Sequence, residues 1–265
     1  MKQRADSLLV SLGLAPSREQ AQKLIMAGRA YAGEVKILKA SELHTPEAEL
    51  SIRGELQSWA SRGAHKIERA LGHFEVDAEG LICLDIGAAS GGFTDALLRR
   101  GAARVYAIDV GYGQLDWRLR QDARVVVMER TNARTLSKAQ FPDDPTLAVM
   151  DVSFISIRLI LPVLADILGE GGRIVTLIKP QFEAGKGQVG KHGVVREAQI
   201  HQRVLREIRD ACPIFNWSLR GLTWSPIKGP KGNIEFLGDI RPGESEPISD
   251  EQITTLVKEA HQALD

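Results

Sequence analysis

The sequence predicts an α/β protein, an open and mostly parallel sheet wrapped by helices, behind a small α+β head. Three observations predict it. Residues 81–98, LICLDIGAASGGFTDALL, read as an apolar strand ending in Asp85, a turn built on Gly87, Gly91 and Gly92, and an amphipathic helix from Phe93. Further apolar strand-like runs then alternate with helical patterns, which is how a parallel sheet with crossover helices reads. Residues 1–39 carry seven cations against three anions, a basic head hidden in a chain of zero net charge.

In the head, Leu8, Leu9 and Leu12 share one face of a helix over 4–12 that Gly13 can stop. Ser17 is a good N-cap for a second helix over 18–27, with Ala21, Leu24 and Ile25 inward and Gly28 closing it. Short strands follow at 30–32 and 35–38. Residues 39–62 are polar, and 58–63 read as a linker between a domain at 1–60 and one at 64–265. A helix in AHKIERALGHF leads into the second domain. Beyond the glycine turn, strands are expected at 103–109, 124–128, 146–151 and 172–178, and helices near 93–100, 115–121, 156–168 and 196–211. Residues 218–240 look like a terminal hairpin with Glu235 in its last strand, making seven strands in all. An acidic helix starts at Ser249; residues 239–265 carry seven anions against two cations.

Composition is that of an ordinary soluble globule, and no apolar run approaches a membrane span. The first seventeen residues are too polar for a secretory signal, so a cytoplasmic protein is expected. Cys83 and Cys212 are isolated in apolar contexts, as buried thiols are, with neither disulfide nor metal spacing.

Glycines in a strand-to-helix turn let a ligand touch the backbone, and the helix behind them offers free N–H groups. The acidic residue some twenty positions on, Asp109, is placed to accept hydrogen bonds from ribose hydroxyls. The turn departs from a dinucleotide fingerprint, because Ala89 stands where the second glycine belongs, and it has no Gly-Lys-Ser/Thr for phosphates. Asp85 opening the turn suits S-adenosylmethionine, which has an ammonium and no phosphates. The expected cofactor residues are Asp85, Gly87, Ser90, Gly91, Gly92, Phe93 and Asp109; Asn132 is a weaker candidate beside the adenine.

Ligands of such sheets bind beyond the carboxyl ends of the strands. Asp151 and Lys179 end apolar runs there, Lys66 lies on the entering helix and Glu235 in the last strand. A ribose hydroxyl is a poor nucleophile and needs a base as the methyl arrives, whereas a sulfonium donor is already activated and needs no metal. A lysine serves as base only when neutral; burial and a nearby cation favour that form, and carboxylates oppose it. The expected assignment is Lys179 as base, Asp151 and Lys66 fixing it, and Glu235 holding the ribose or Lys66. The glycine-rich, basic segment 182–196 suggests a lid, with Lys186, Lys191 and Arg196 on phosphates.

Two resemblances add to this. RADSLLVSLGLAPSREQAQKLIMAGRAYAGEV is similar to the S-four type of RNA-binding fold named after a ribosomal small-subunit protein. That resemblance implies that Arg4, Arg18, Lys23 and Arg29 lie along structured RNA read by shape and phosphate; Lys186 and Lys191 of the expected lid are the further RNA-binding candidates. The spaced Lys–Asp–Lys–Glu set with the turn resembles FtsJ-type ribose 2′-O-methyltransferases, and nearly the whole chain looks like the TlyA family, often labelled haemolysin A. The resemblance implies a Rossmann-like S-adenosylmethionine-dependent methyltransferase fold with a C-terminal antiparallel hairpin, acting as a monomer on ribosomal RNA or ribosomal subunits. The sequence departs from the family at Ala88-Ala89-Ser90, where a more hydroxyl-rich turn is usual, and at His65. Two other classes compete. One is an RNA-binding protein with a silent cofactor fold, which the four intact ionisable positions oppose. The other is a membrane-lytic protein, opposed by the lack of an amphipathic segment with a basic face and aromatic anchors. Within the enzyme class, a base methyltransferase would carry Asn/Asp-Pro-Pro-aromatic, but Asp151 is followed by Val-Ser-Phe.

Overall fold

The computed structural model describes residues 2–15, 17–53, 59–185 and 187–264. The chain divides into two compact units, Met1–Ser58 and Trp59–Asp265.

The first unit runs β1 (Gln3–Arg4), α1 (Ala5–Ser11), α2 (Arg18–Met26), β2 (Ala30–Ala32), β3 (Val35–Lys36), β4 (Leu43–His44) and β5 (Leu50–Ile52). Strand β2 pairs antiparallel with β3 and β5, and β1 with β4. Ser17 caps α2 by accepting the Gln20 N–H at 3.3 Å. Leu8, Leu9, Ala21, Ile25, Ala30, Leu50 and Ile52 form the core. Leu12 departs from expectation: α1 stops at Ser11, so Leu12 turns outward and is 46% exposed. Strands β4 and β5 fall in the segment that reads as merely polar, being too short for a period-two pattern to show.

The second unit runs α3 (Gly63–His73), β6 (Ile82–Ile86), α4 (Gly92–Arg99), β7 (Arg104–Ile108), α5 (Trp117–Gln121), β8 (Val125–Met128), β9 (Leu147–Met150), α6 (Leu161–Leu168), β10 (Arg173–Ile178), α7 (Pro180–Glu183), α8 (Ala198–Ala211), β11 (Trp217–Trp224), β12 (Phe236–Pro242) and α9 (Asp250–Leu264). One seven-stranded sheet has the order β11-β12-β10-β9-β6-β7-β8. It is parallel from β10 to β8, with β12 antiparallel to β10 and β11 antiparallel to β12.

Each sheet face carries its own apolar layer. Ile67, Ala70 and Leu71 of α3 recur at helical spacing and pack with Phe93, Ala96 and Leu97 of α4. Ile200, Val204, Leu205 and Ile208 of α8 join Ile253 and Val257 of α9 in the other layer. The helix expected over 156–168 is split into a single turn at Ile157–Leu159 and then α6, whose Pro162 sits in the first turn, where its missing N–H is no loss. Cys83 and Cys212 are buried free thiols, each pushed up to about 12 by burial.

Residues 59–62, expected in the linker, are held to the second unit. The Ala60 N–H donates to Asp95 at 2.9 Å, and the Arg99 guanidinium lies 4.1 Å from the Trp59 ring centroid. Glu235 stands one residue before β12, not inside it. Because β12 runs against β10, the Ile178–Phe236 pair is the last in register. Glu235 and Lys179 are therefore the next residues at the same edge, and the antiparallel hairpin delivers an acid to the carboxyl ends of the parallel strands.

Candidate active site

Strand β6 leaves the sheet at Ile86, and both Gly87 and Ala88 donate their N–H groups to the Ile108 carbonyl, at 2.8 and 3.1 Å. Gly87 has φ of +84°, and a Cβ there would stand 2.5 Å from the Asp151 carbonyl oxygen. Only glycine fits, so the turn and the loop after β9 are built against each other. Gly92 serves packing too: its Cβ would meet Ser61 Oγ at 2.2 Å and Ala64 N at 3.0 Å, where α3 begins.

Asp85 is fully buried beneath the turn. Its Oδ2 accepts from Thr94 N at 2.8 Å and Thr94 Oγ1 at 2.6 Å, tying β6 to the first turn of α4. Burial pushes the carboxyl up to about 7 against those hydrogen bonds, and the Asp151 and Asp109 charges add to the rise. The folded protein therefore holds this proton where the unfolded chain, with an ordinary aspartate near 4, has lost it. Folding takes up a proton between about pH 4 and 7, so stability falls as pH rises through that window, by up to ~4 kcal/mol. Asp85→Asn copies the protonated form. Its melting temperature should change less than that of the parent between pH 5 and 8, and parallel melting curves would refute the assignment.

Asp109, one residue past β7, accepts the Ala89 N–H at 2.8 Å and the Gly111 N–H at 2.6 Å. It borders a cavity of about 470 Å³ with Gly87, Ala89, Val110, Gln114 and Asn132. Of the residues expected around a cofactor, Gly87 and Asp109 border this cavity. Ser90, Gly91, Gly92 and Phe93 do not, and the Phe93 side chain belongs to the apolar layer. Asn132 caps the short turn after β8 by accepting the Arg134 N–H at 3.1 Å.

A second cavity, of about 620 Å³, is lined by Lys66, Asp151, Lys179 and Glu235 together. They form two ion pairs. Lys66 Nζ lies 2.6 Å from Glu235 Oε2, with side chains 6% and 1% exposed. Lys179 Nζ pairs with Asp151 Oδ1 and donates to Ser153 Oγ at 2.9 Å. Gln181 Nε2 donates to Glu235 Oε1 at 3.0 Å, so each oxygen of that carboxylate has a donor.

Sequence reasoning missed Ser153, Phe154 and Gln181. Phe154 is 89% exposed with φ of +64°, a left-handed backbone rare for a bulky residue, and its ring centroid lies 5.0 Å from that of Phe182. The one available signal was Val-Ser-Phe directly after a strand-end aspartate.

Lys186 and the Lys191 side chain, both expected on RNA, lie outside the described residues. The far end of that segment is fastened: Asn233 accepts the Val195 N–H and donates to the Gly193 carbonyl, each at 2.9 Å. Arg196 is exposed.

In the first unit, Arg4 and Arg18 gather around Asp6, which is 0% exposed. Arg4 grips it with two nitrogens at 3.0 and 2.9 Å, Arg18 reaches it at 3.2 Å and Gln22 at 2.9 Å. The Arg4 guanidinium is the main reason the Asp6 carboxyl sits well below the usual range. Lys23 pairs with Glu19 at 2.7 Å. Arg29 follows α2, its carbonyl accepting the Arg53 N–H at 2.8 Å. Arg4 and Arg18 are thus partly neutralised and held around Asp6.

Residues 59–238 match the family model described as FtsJ-like methyltransferase, and residues 3–41 match the S4 domain. TlyA of Mycobacterium tuberculosis (strain ATCC 25618 / H37Rv), named a 16S/23S rRNA (cytidine-2′-O)-methyltransferase, is 43% identical over 93% of this chain and 92% of its own. Hemolysin A of Brachyspira hyodysenteriae is 41% identical over 88% of this chain and 98% of its own. Among solved structures, a Streptococcus thermophilus protein carrying a hemolysin name matches with a TM-score of 0.75 at 44% identity, covering 99% of this chain and 96% of that one. Among the described residues, no helix is long and apolar enough to cross a membrane. From these matches, together with its seven-stranded sheet, the chain belongs to the FtsJ-like methyltransferase family and carries an S4 domain ahead of the methyltransferase domain.

Proposed function

We propose that this chain transfers a methyl group from S-adenosylmethionine to a ribose 2′-hydroxyl of ribosomal RNA, with Lys179 as general base. One observation carries the reading. The cavity beside the glycine turn and the cavity of the Lys–Asp–Lys–Glu set meet at Asp151, Ser153 and Phe154. A donor in the first and an acceptor in the second would be neighbours across the Lys179–Asp151 pair.

The first cavity fits such a cofactor. The Asp109 carboxylate is where ribose hydroxyls would donate, while Ile86, Ile108, Val110 and Ile160 offer apolar surface to a purine. Bound there, S-adenosylmethionine supplies an activated methyl. The residues of this chain do the rest. Lys179, neutral in its reactive form, takes the hydroxyl proton as the oxygen forms its bond to carbon. Asp151 holds the lysine, and the buried Lys66–Glu235 pair lines the same cavity. Phe154 and Phe182 present an aromatic face on which a splayed base could stack. Orientation supplies most of the acceleration, because the donor already carries its leaving group. The S4 domain, with Arg4 and Arg18 fixed around Asp6, supports an RNA substrate read by shape and phosphate. The rRNA activity named for TlyA supports ribosomal RNA in particular.

The test uses tritiated S-adenosylmethionine, purified ribosomal subunits and alkaline hydrolysis of the labelled RNA. A 2′-O-methyl group removes the hydroxyl that attacks the next phosphate, so the label should leave in alkali-stable dinucleotides. Label in mononucleotides would mean base methylation, and no label on either subunit would favour a binding protein with a silent cofactor fold.

A further inference from the structure

Lys179 has an amine with three positions besides its bond to Cε. Asp151 Oδ1 occupies one and Ser153 Oγ, at 2.9 Å, a second. The third has no hydrogen-bond partner among the described residues. Because the side chain is only 10% exposed and borders the larger cavity, that position is available to a group entering there.

We infer that Ser153 is a positioning residue for the methyl-transfer step: as the second acceptor on the Lys179 amine, it fixes the rotation of that amine so that the remaining position faces the substrate hydroxyl. The inference rests on the reading of Lys179 as base. An ion pair to a single carboxylate leaves the amine free to turn about its Cε–Nζ bond. Two acceptors in different directions remove that freedom. In the neutral amine the two N–H bonds then point at Asp151 and Ser153, and the lone pair takes the third position. A base is effective only when its lone pair meets the proton in line, so this pre-set rotation is part of the catalytic geometry.

The placement of Ser153 does not answer a packing need. The residue is exposed and could satisfy its hydroxyl with water. Instead it stands in a tightly determined loop, between Asp151, whose carbonyl is packed on Gly87, and Phe154, whose backbone is left-handed. Ser153 also borders both cavities, at the place where methyl donor and acceptor would meet. Other charged groups lining the cavity with Lys179 are Asp151, Lys66, Glu235, Arg62 and Lys231. None of these is altered by removing the serine hydroxyl.

The experiment compares Ser153→Ala, Ser153→Thr and Lys179→Met in single-turnover methyl transfer to ribosomal subunits across pH, with cofactor affinity measured separately. Ser153→Ala should slow transfer at saturating substrate by about 10- to 100-fold, with KM for the subunit and cofactor affinity within about twofold of the parent. The ascending limb of its pH–rate profile should move to lower pH, since an acceptor that favours the charged amine has gone. Ser153→Thr, which keeps the hydroxyl, should recover most of the rate. A merely structural serine would leave the pH profile in place. Transfer by Ser153→Ala at the parental rate, or slowing seen only as a raised KM with an unmoved profile, would overturn the inference while an inactive Lys179→Met preserved the underlying reading. Normal transfer by Lys179→Met would overturn both.

Discussion

Lys179→Met should abolish methyl transfer, with a loss of at least about 10²- to 10⁴-fold, the range general-base catalysis supplies, while cofactor affinity stays within a few-fold of the parent. The separation follows from placement. Lys179 borders the larger cavity and does not border the one containing Asp109 and the glycine turn. The variant should also fold, because the Asp151 side chain is 21% exposed: its Oδ1 is covered, but the freed carboxylate keeps one side toward solvent. Lys179→Arg separates two explanations of the loss. Arginine keeps the positive charge beside Asp151, but it does not deprotonate in a protein and cannot act as a base. If Lys179 served only as a fixed charge, the arginine variant would keep much of the activity. As base, it should leave none. Equilibrium binding of S-adenosylmethionine and single-turnover transfer, measured on both variants, decide the matter.

The parts of the fold that were legible in the sequence are those in which a local pattern and a tertiary need coincide. Strands buried on both faces must be apolar throughout, so a charge at the end of such a run marks the sheet edge. That is how Asp109, Asp151 and Lys179 announce themselves, whereas Asp85 lies inside β6, one residue short of its end. The turn at Gly87 was legible because close approach to the Asp151 carbonyl leaves room for no side chain. Other features depend on contacts that sequence spacing does not carry. Phe93 follows the glycines as a cofactor contact would, yet its ring is needed between α3 and α4. Asp85 looks like a ligand for an ammonium group, yet its Oδ2 is committed to Thr94 beneath the turn. Asp6 collects Arg4 and Arg18 across twelve residues of chain, and no helical period predicts that meeting. Ser153 and Phe154 depend on a left-handed backbone at a bulky residue, which propensity argues against. Glu235 was expected within a strand; the antiparallel register with β10 is what carries it to the site, just before that strand begins.

The same register sets up the largest stability effect expected here. Lys66 and Glu235 are 6% and 1% exposed, 2.6 Å apart and 169 positions apart in sequence, so their pair joins α3 to the end of the hairpin connection. Two charges out of water are tolerated because each compensates the other. Lys66→Met removes one and leaves the Glu235 carboxylate with Gln181 as its remaining side-chain donor. Stranding a buried charge in this way costs about 3–5 kcal/mol. For a folding unit of roughly 200 residues that corresponds to a melting temperature lower by about 6–20 °C. Glu235→Gln strands the ammonium instead and should cost a similar amount. The double variant Lys66→Met, Glu235→Gln contains neither stranded charge, so it should melt well above either single variant. Its activity should nevertheless stay low, since the cavity that Lys179 lines has lost both charges. Thermal melts of the full chain, run as a double-mutant cycle, measure the coupling directly. A double variant whose destabilisation equals the sum of the two singles would mean that the pair is not coupled, and the buried ion pair would then have to be abandoned as the link between α3 and the hairpin.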